Sequence, residues 1–290
     1  MSQNRTEPPF FGGCSNPDFK DAKAVILPIG YEGTSYGKTG SKEGPEAIIN
    51  ASRHIETYDI ETGKDLADLK IFTMEGLVPS KNSTAEAMAD IKEAVAEIIK
   101  SGKLPIILGG EHSITLGVVQ AIIKKYPKLS ILHLDAHADQ LPEFEGTKIH
   151  HATVMRRIAD DLKIPITSVG IRSMSSGEAE YLSKKSVQVF YAEDYPLELP
   201  VAEIIKSLPT QDVYLTFDLD FLDPAFMPST GTPVPGGYNF YQTLPLLKKL
   251  IAEKNLVGVD LVELLPNQVN YHADVLAAQL SFKILCYKFR

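Results

Sequence analysis

The sequence predicts an α/β protein built on one mostly parallel, eight-stranded sheet covered by helices. Three observations predict it. Short, nearly continuous apolar runs recur along the 290 residues, as strands buried on both faces require. Stretches with helical spacing separate them. No Pro/Gly/Ser-rich linker or composition break divides the chain, so residues 23–290 read as a single domain behind an irregular lead-in, 1–22.

The elements follow in order. Ala24 to Ile29 is an apolar run and the first strand. A Gly-rich loop, Gly30 to Gly44, leads to Pro45, which is well placed in the first turn of a short helix. Lys70 to Met74 is a weaker strand. Ser83-Thr84-Ala85-Glu86 fits a capping box, and Met88, Ile91, Val95, Ile98 and Ile99 recur behind it at helical spacing until Gly102. Leu104 to Leu108 is a strand, 113–126 a helix and 129–135 the central strand. Alternation continues with a helix over 152–162, strand Ile166 to Ile171, a helix over 176–184 and strand Val187 to Tyr191. A helix over 201–208, strand Val213 to Asp218, a helix over 240–253, strand Leu256 to Val262 and a helix over 272–287 close the chain.

Composition narrows the function. A net charge of −8 with no Lys/Arg run argues against nucleic acid as a partner and is compatible with a cationic ligand. No apolar run approaches the ~18 residues of a membrane span. Met1 to Pro17 is polar and lacks an apolar signal segment, and Cys14 and Cys286, the only cysteines, imply no disulfide framework. The expected location is a reducing cytoplasm.

Ligands of open α/β sheets bind outside the carboxyl ends of the strands, and the polar clusters fall there. Gly109-Gly110-Glu111-His112-Ser113 follows one strand, and Asp135-Ala136-His137-Ala138-Asp139 follows the central one. Asp218-Leu219-Asp220-Phe221-Leu222-Asp223-Pro224 and Asp260-Leu261-Val262-Glu263 come at the ends of two more. Asp135, His137 and Asp139 lie two apart, as do Asp218 and Asp220, and residues so spaced on an extended strand share a face. His112, Asp135, His137, Asp139, Asp218 and Asp220 thus form a candidate metal set of four carboxylates and two imidazoles. Such a set suits hard to borderline divalent ions, and four negative charges call for two of them. Two ions ~3.5–4 Å apart lower the pKa of a shared water.

The first three clusters resemble the metal motifs of the ureohydrolase (arginase/agmatinase) family. The resemblance extends to Gly40–Ile48, to the loop 228–237, Pro-Ser-Thr-Gly-Thr-Pro-Val-Pro-Gly-Gly, and to Asp260–Glu263, so it covers residues 24 to 285. It implies a three-layer α/β/α sandwich, two Mn²⁺ ions per chain and a homo-oligomer, trimeric or hexameric. It implies that His112, Asp135, Asp139 and Asp218 hold one ion and Asp135, His137, Asp218 and Asp220 the other, with Asp135 and Asp218 bridging. It further implies that a metal-bridging hydroxide would attack the guanidinium carbon, giving urea and an amine, that Glu263 would hold the guanidinium and that His151 would shuttle a proton to the departing amine, a task suited to an imidazole pKa near neutral. Two departures stand out. The shuttle segment reads His150-His151-Ala152 where relatives often have His-Gly; His151 keeps Thr153 and Arg156-Arg157 in register, and His150 stays an alternative. Glu111 stands where arginases usually have Asp and is expected not to touch the metals.

Agmatine is the expected substrate. The loop 140–149 offers Glu143 and Glu145 and few hydroxyls for an α-carboxylate, so an acidic rim would favour an ammonium tail. The same charges on a solvated loop would select nothing. N1-aminopropylagmatine, guanidinobutyrate, arginine and formiminoglutamate are the alternatives within the family. A mononuclear zinc amide deacetylase, which lacks a complete second-ion set, and a non-catalytic scaffold are alternatives outside it. His133 reads as a satisfied core histidine with a second possible place beside Asp135. His54 and His272 read as surface or core residues and Asp274 as a helix cap, and Arg172 receives no role.

Overall fold

The computed structural model describes residues 10–13, 16–34, 37–185, 187–267 and 269–289; Cys14 lies outside them. Each expected apolar run forms a strand: β1 (Ala24–Ile29), β4 (Ile71–Thr73), β5 (Leu104–Gly109), β6 (Leu129–Leu134), β7 (Ile166–Ile171), β8 (Gln188–Tyr191), β9 (Asp212–Asp218) and β10 (Asn255–Val262). They build one sheet in the order β4-β1-β5-β10-β9-β6-β7-β8, every pair parallel. A two-stranded antiparallel ladder, β2 (Tyr58–Asp59) with β3 (Lys64–Asp65), was not expected. Strands of two residues are too short to show alternation, and Gly63 at φ 67° makes their turn.

Alternating strand residues feed two cores. From β1, Ala24 and Ile26 enter one and Val25, Leu27 and Ile29 the other. The first core receives α1 (Gly44–Ser52), α6 (Val201–Ser207), α7 (Phe240–Glu253) and α8 (His272–Lys288), through residues such as Ile48, Ile204, Leu247 and Leu280. The second receives α2 (Thr84–Lys100), α3 (Ile114–Ile122) and α4 (Val154–Asp160), through Ile91, Val119 and Ile158. The result is a three-layer α/β/α sandwich. Every position of β1, β5, β6 and β7 is buried, which is why those strands read as unbroken apolar runs. The remaining helix, α5 (Ser176–Ser183), contributes Tyr181 and Leu182 to a small cluster of its own.

Two local expectations need correction. Ser83 accepts from the Glu86 amide at 3.2 Å as an N-cap should, but the Glu86 carboxylate turns away to Ser80 and Asn82, so no reciprocal box forms. Asp274 does not cap α8. It sits in the first turn behind Tyr271, nearly buried, and burial pushes its carboxyl up to about 6.

Asp59 and Glu61 tie the β2–β3 segment to α7 and α8. Lys248 and Lys283 reach Glu61 at 2.6 and 3.0 Å, and the Tyr287 hydroxyl donates to it at 2.6 Å. Lys248, then Tyr287, hold the Glu61 carboxyl down to about 2. A depressed carboxylate stabilises the fold above its unfolded pKa of about 4.3, and that stability fades as pH falls toward about 2. Glu61→Gln is therefore expected to lower the melting temperature at pH 6 by the equivalent of about 1 kcal/mol, a value reduced for solvent screening. The difference from wild type should shrink between about pH 4.5 and pH 2 in a thermal-melt series. A gap independent of pH would refute the ionic account.

Candidate metal centre and active site

The sheet order places the polar clusters. The strands β5, β10, β9 and β6 are consecutive neighbours at the middle of the sheet. Because all run parallel, their carboxyl ends share one edge. Register sets their depth: Val262 pairs with Asp218, and Phe217 pairs with Leu134, so Asp135 emerges level with Asp218. Four segments far apart in sequence thus end around one point, at the kind of sheet edge where ligands bind.

The close spacing of the acids has a different cause from the one expected. The central strand stops at Leu134 and β9 at Asp218, so the following ligand-type residues are not on strands. Each leading Asp instead closes a turn on itself. Asp135 Oδ1 accepts from the His137 amide at 2.6 Å, and Asp218 Oδ1 accepts from the Asp220 amide at 2.8 Å. These are Asx turns, in which an aspartate oxygen replaces a backbone acceptor. Asp220 Oδ1 then crosses to accept from the Ala136 amide at 3.0 Å, joining the two turns. Asp139 takes φ 53°, a left-handed value that Asp tolerates better than most residues.

The second oxygens converge on two imidazoles. His112 Nδ1 lies 3.1 Å from Asp135 Oδ2, 3.1 Å from Asp139 Oδ2 and 3.4 Å from Asp218 Oδ2. It is fully buried, yet none of these oxygens has hydrogen-bond geometry to it. His137 Nδ1 lies 2.9 Å from Asp220 Oδ2 and 3.5 Å from Asp135 Oδ1. Burial and the charges of Asp220 and Asp135 push the Asp218 carboxyl well above the usual range. Buried like charges with an unpartnered imidazole nitrogen among them are what a divalent cation would reconcile, so the donor set fits a metal. All six residues singled out in the sequence, His112, Asp135, His137, Asp139, Asp218 and Asp220, are brought together here.

Beside them lies a cavity of about 260 Å³, whose lining includes His112, His151, Glu263, Phe144, Lys38 and Thr232. Gly110 lets the loop after β5 approach Tyr31 closely: a Cβ there would fall 2.0 Å from the Tyr31 carbonyl oxygen. The Glu263 amide donates to the Gly110 carbonyl at 2.8 Å, and Glu263 Oε1 accepts from the His112 amide at 2.7 Å. Burial, then Glu111, pushes the Glu263 carboxyl up to about 8. His151 is held by its backbone, whose amide donates to Thr34 Oγ1 at 3.2 Å. Glu111, fully buried, accepts from the Thr34 amide at 2.8 Å and its hydroxyl at 2.7 Å. Glu111 thus stays off the ligand cluster and supports the loop beneath His151. His150 is not in the cavity lining; its Nδ1 accepts from the Ala152 amide at 3.2 Å and its ring packs on Phe144.

With this geometry in place, comparison with known proteins is direct. Residues 22–286 match the arginase family. The chain belongs to the arginase family. It is 36% identical over 277 residues to an N(1)-aminopropylagmatine ureohydrolase of Synechocystis, covering 93% of this chain and 90% of that protein. An agmatinase of Pyrococcus horikoshii is 33% identical over 270 residues, covering 92% and 93%. Among solved structures, the agmatine ureohydrolase of Thermoplasma volcanium superimposes with a TM-score of 0.86 at 31% identity, covering 94% of this chain and 92% of that one. This arginase-family chain is a hydrolase acting on carbon–nitrogen bonds.

Several residues in the arginase-family site differ from their sequence reading. His133 is the exception and keeps both parts of its reading, a satisfied core histidine that also stands beside Asp135: its Nε2 lies 2.8 Å from Asp135 Oδ2 and its Nδ1 3.1 Å from Ser168 Oγ. Glu143 and Glu145 are exposed and are not in the cavity lining; the loop contributes Phe144, and the lining also includes a cation, Lys38. Arg172 acquires a place. Its guanidinium donates to the carbonyls of Asp220 at 2.6 Å, Val234 at 2.9 Å and Gly170 at 3.1 Å, strapping the Gly/Pro-rich loop to the end of β9. His54 and His272 are exposed, away from the cluster. Thr34, Thr216 and Lys38 escaped sequence reasoning because nothing in their local spacing marks them.

Proposed function

We propose that this protein is a binuclear ureohydrolase that splits a guanidino amine, agmatine or its N1-aminopropyl derivative, into urea and the free amine. The observation that carries the reading is the meeting of six ligand-type side chains at the wall of a small cavity that also holds Glu263 and His151. His112, Asp135, Asp139 and Asp218 would hold one divalent ion, Mn²⁺ being the expected one, and Asp135, His137, Asp218 and Asp220 the other. When bound, the ions supply a water acidic enough to serve as the nucleophile near neutral pH.

The protein's own groups do the rest. Glu263, buried and with its Oε1 already anchored to the His112 amide, offers its carboxylate to the planar guanidinium through charge-assisted hydrogen bonds. A bound cation would draw its raised carboxyl back toward ionisation. His151 handles the proton. Burial, then His150 and His112, push its imidazole down to about 3, below the near-neutral value expected from the sequence. It is therefore neutral at working pH, ready to accept a proton, and its conjugate acid is a strong donor to the departing amine. Its Nδ1 has no hydrogen-bond partner among the described residues.

The relatives at 36–37% identity are named for N(1)-aminopropylagmatine and those near 33% for agmatine, which favours the longer amine as a second reading beside agmatine. A panel that reads urea from agmatine, N1-aminopropylagmatine, guanidinobutyrate and arginine, and formamide from formiminoglutamate, decides. The expected result is urea from one or both guanidino amines, with kcat/KM at least about tenfold above the acids, lost on chelation and restored by Mn²⁺. Folded, metal-loaded protein that releases no urea from any of the guanidino compounds would refute the reading.

A further inference from the structure

Behind His112, away from the cavity, a buried chain of hydroxyls runs to a carboxylate that the proposed chemistry does not use. Asp260, in the middle of β10, is fully buried. Its Oδ2 accepts from the Tyr214 hydroxyl at 2.5 Å and from the Thr115 hydroxyl at 2.8 Å. Thr115 Oγ1 lies 3.4 Å from Thr216 Oγ1, which lies 2.8 Å from His112 Nε2.

The direction of these bonds can be worked out. A hydroxyl has one hydrogen, and an ionised carboxylate only accepts. Thr115 has given its hydrogen to Asp260, so toward Thr216 it can only accept. Thr216 therefore points its hydrogen at Thr115 and a lone pair at His112 Nε2. Nε2 must then carry the ring proton, and a neutral imidazole has only one. In the neutral ring that a cation requires, Nδ1 is the nitrogen left open, and it is the atom facing Asp135, Asp139 and Asp218.

We propose that Asp260 is a positioning residue: through Thr115 and Thr216 it locks His112 in the tautomer whose Nδ1 lone pair is open to a divalent cation. The inference rests on the reading of His112 as a metal ligand. Partners of this kind fix ring orientation and tautomer, and their loss costs about 10–100-fold in metal affinity.

The test is Mn²⁺ titration of the metal-stripped, full-length protein, with free Mn²⁺ followed by electron paramagnetic resonance. Thr216→Val, which keeps shape and removes the acceptor, should weaken one Mn²⁺ site about 10–100-fold. Asp260→Asn should do the same, because an amide can donate and so reverse the chain. Thr216→Ser should restore wild-type affinity. Tyr214→Phe removes a bond to Asp260 but no link in the chain; it should lower the melting temperature and leave affinity alone, which separates positioning from mere packing.

If Asp260→Asn fails to fold, Thr216→Val decides alone. Wild-type Mn²⁺ affinity in Thr216→Val would overturn the proposal while leaving the metal reading intact. A wild-type protein that takes up no Mn²⁺ would overturn both.

Discussion

Asp218→Asn is expected to lower kcat by about 10³-fold or more and, at the same time, to raise the melting temperature of the chelator-treated protein. The first effect follows from its place. Asp218 leads one of the two turns, and its Oδ2 faces His112 within 3.4 Å, at the point where the proposed ions would share a ligand. Metal assistance contributes several kcal/mol to hydrolysis, and each 1.36 kcal/mol is a factor of ten. The second effect is the sign-sensitive one. Burial, then Asp220 and Asp135, raise the Asp218 carboxyl well above its ordinary value. A carboxylate raised in the folded state costs stability once pH exceeds its unfolded pKa of about 3.9. At pH 7 without metal, the neutral amide removes that cost while keeping an acceptor for the Asp220 amide. A gain of a few degrees is expected, at about 2–4 °C per kcal/mol for a chain somewhat smaller than this one. Calorimetry with and without chelator, beside a urea assay, reads both effects. A variant that is inactive and also less stable without metal would mean that Asp218 serves the fold and not the ions.

His151→Asn should lower kcat by about 10²–10⁴-fold, the usual range for a lost general acid or base. Metal content and KM should change little, because His151 is not one of the six ligand-type residues and its backbone is held through Thr34. Added imidazole should restore part of the rate. His150→Asn should behave differently. That ring caps the following turn through the Ala152 amide, packs on Phe144 and lies 4.1 Å from the His151 ring, so its loss should lower the melting temperature and reduce kcat far less than His151→Asn does. Steady-state kinetics on the two variants tells them apart; equal losses of kcat would assign the proton transfer to neither ring alone.

Part of this protein was written in its linear pattern. The apolar runs from Ala24 to Ile29 and from Leu129 to Leu134 are legible because both faces of those strands are buried, so composition alone marks them. The six ligand-type residues were legible because they cluster just past such runs, and a parallel sheet sends all its carboxyl ends to one edge. What lay outside that pattern depended on contacts between distant residues. The acids converge through Asx turns and not through strand alternation. Glu111 finds Thr34, 77 residues away, and His112 reaches Thr216 across 104. Phe144 and Lys38 meet the cavity while Glu143 and Glu145 stay in solvent.

The sequence by itself determined the alternating elements, the edge where chemistry gathers and the chemical type of the groups found there, since burial and spacing are local properties of a chain. The tertiary structure alone decided which groups face the cavity, which nitrogen of His112 faces the acids and how each turn is pinned. Hydrogen bonds are directional and short-ranged, so their partners exist only once the strands have been set side by side.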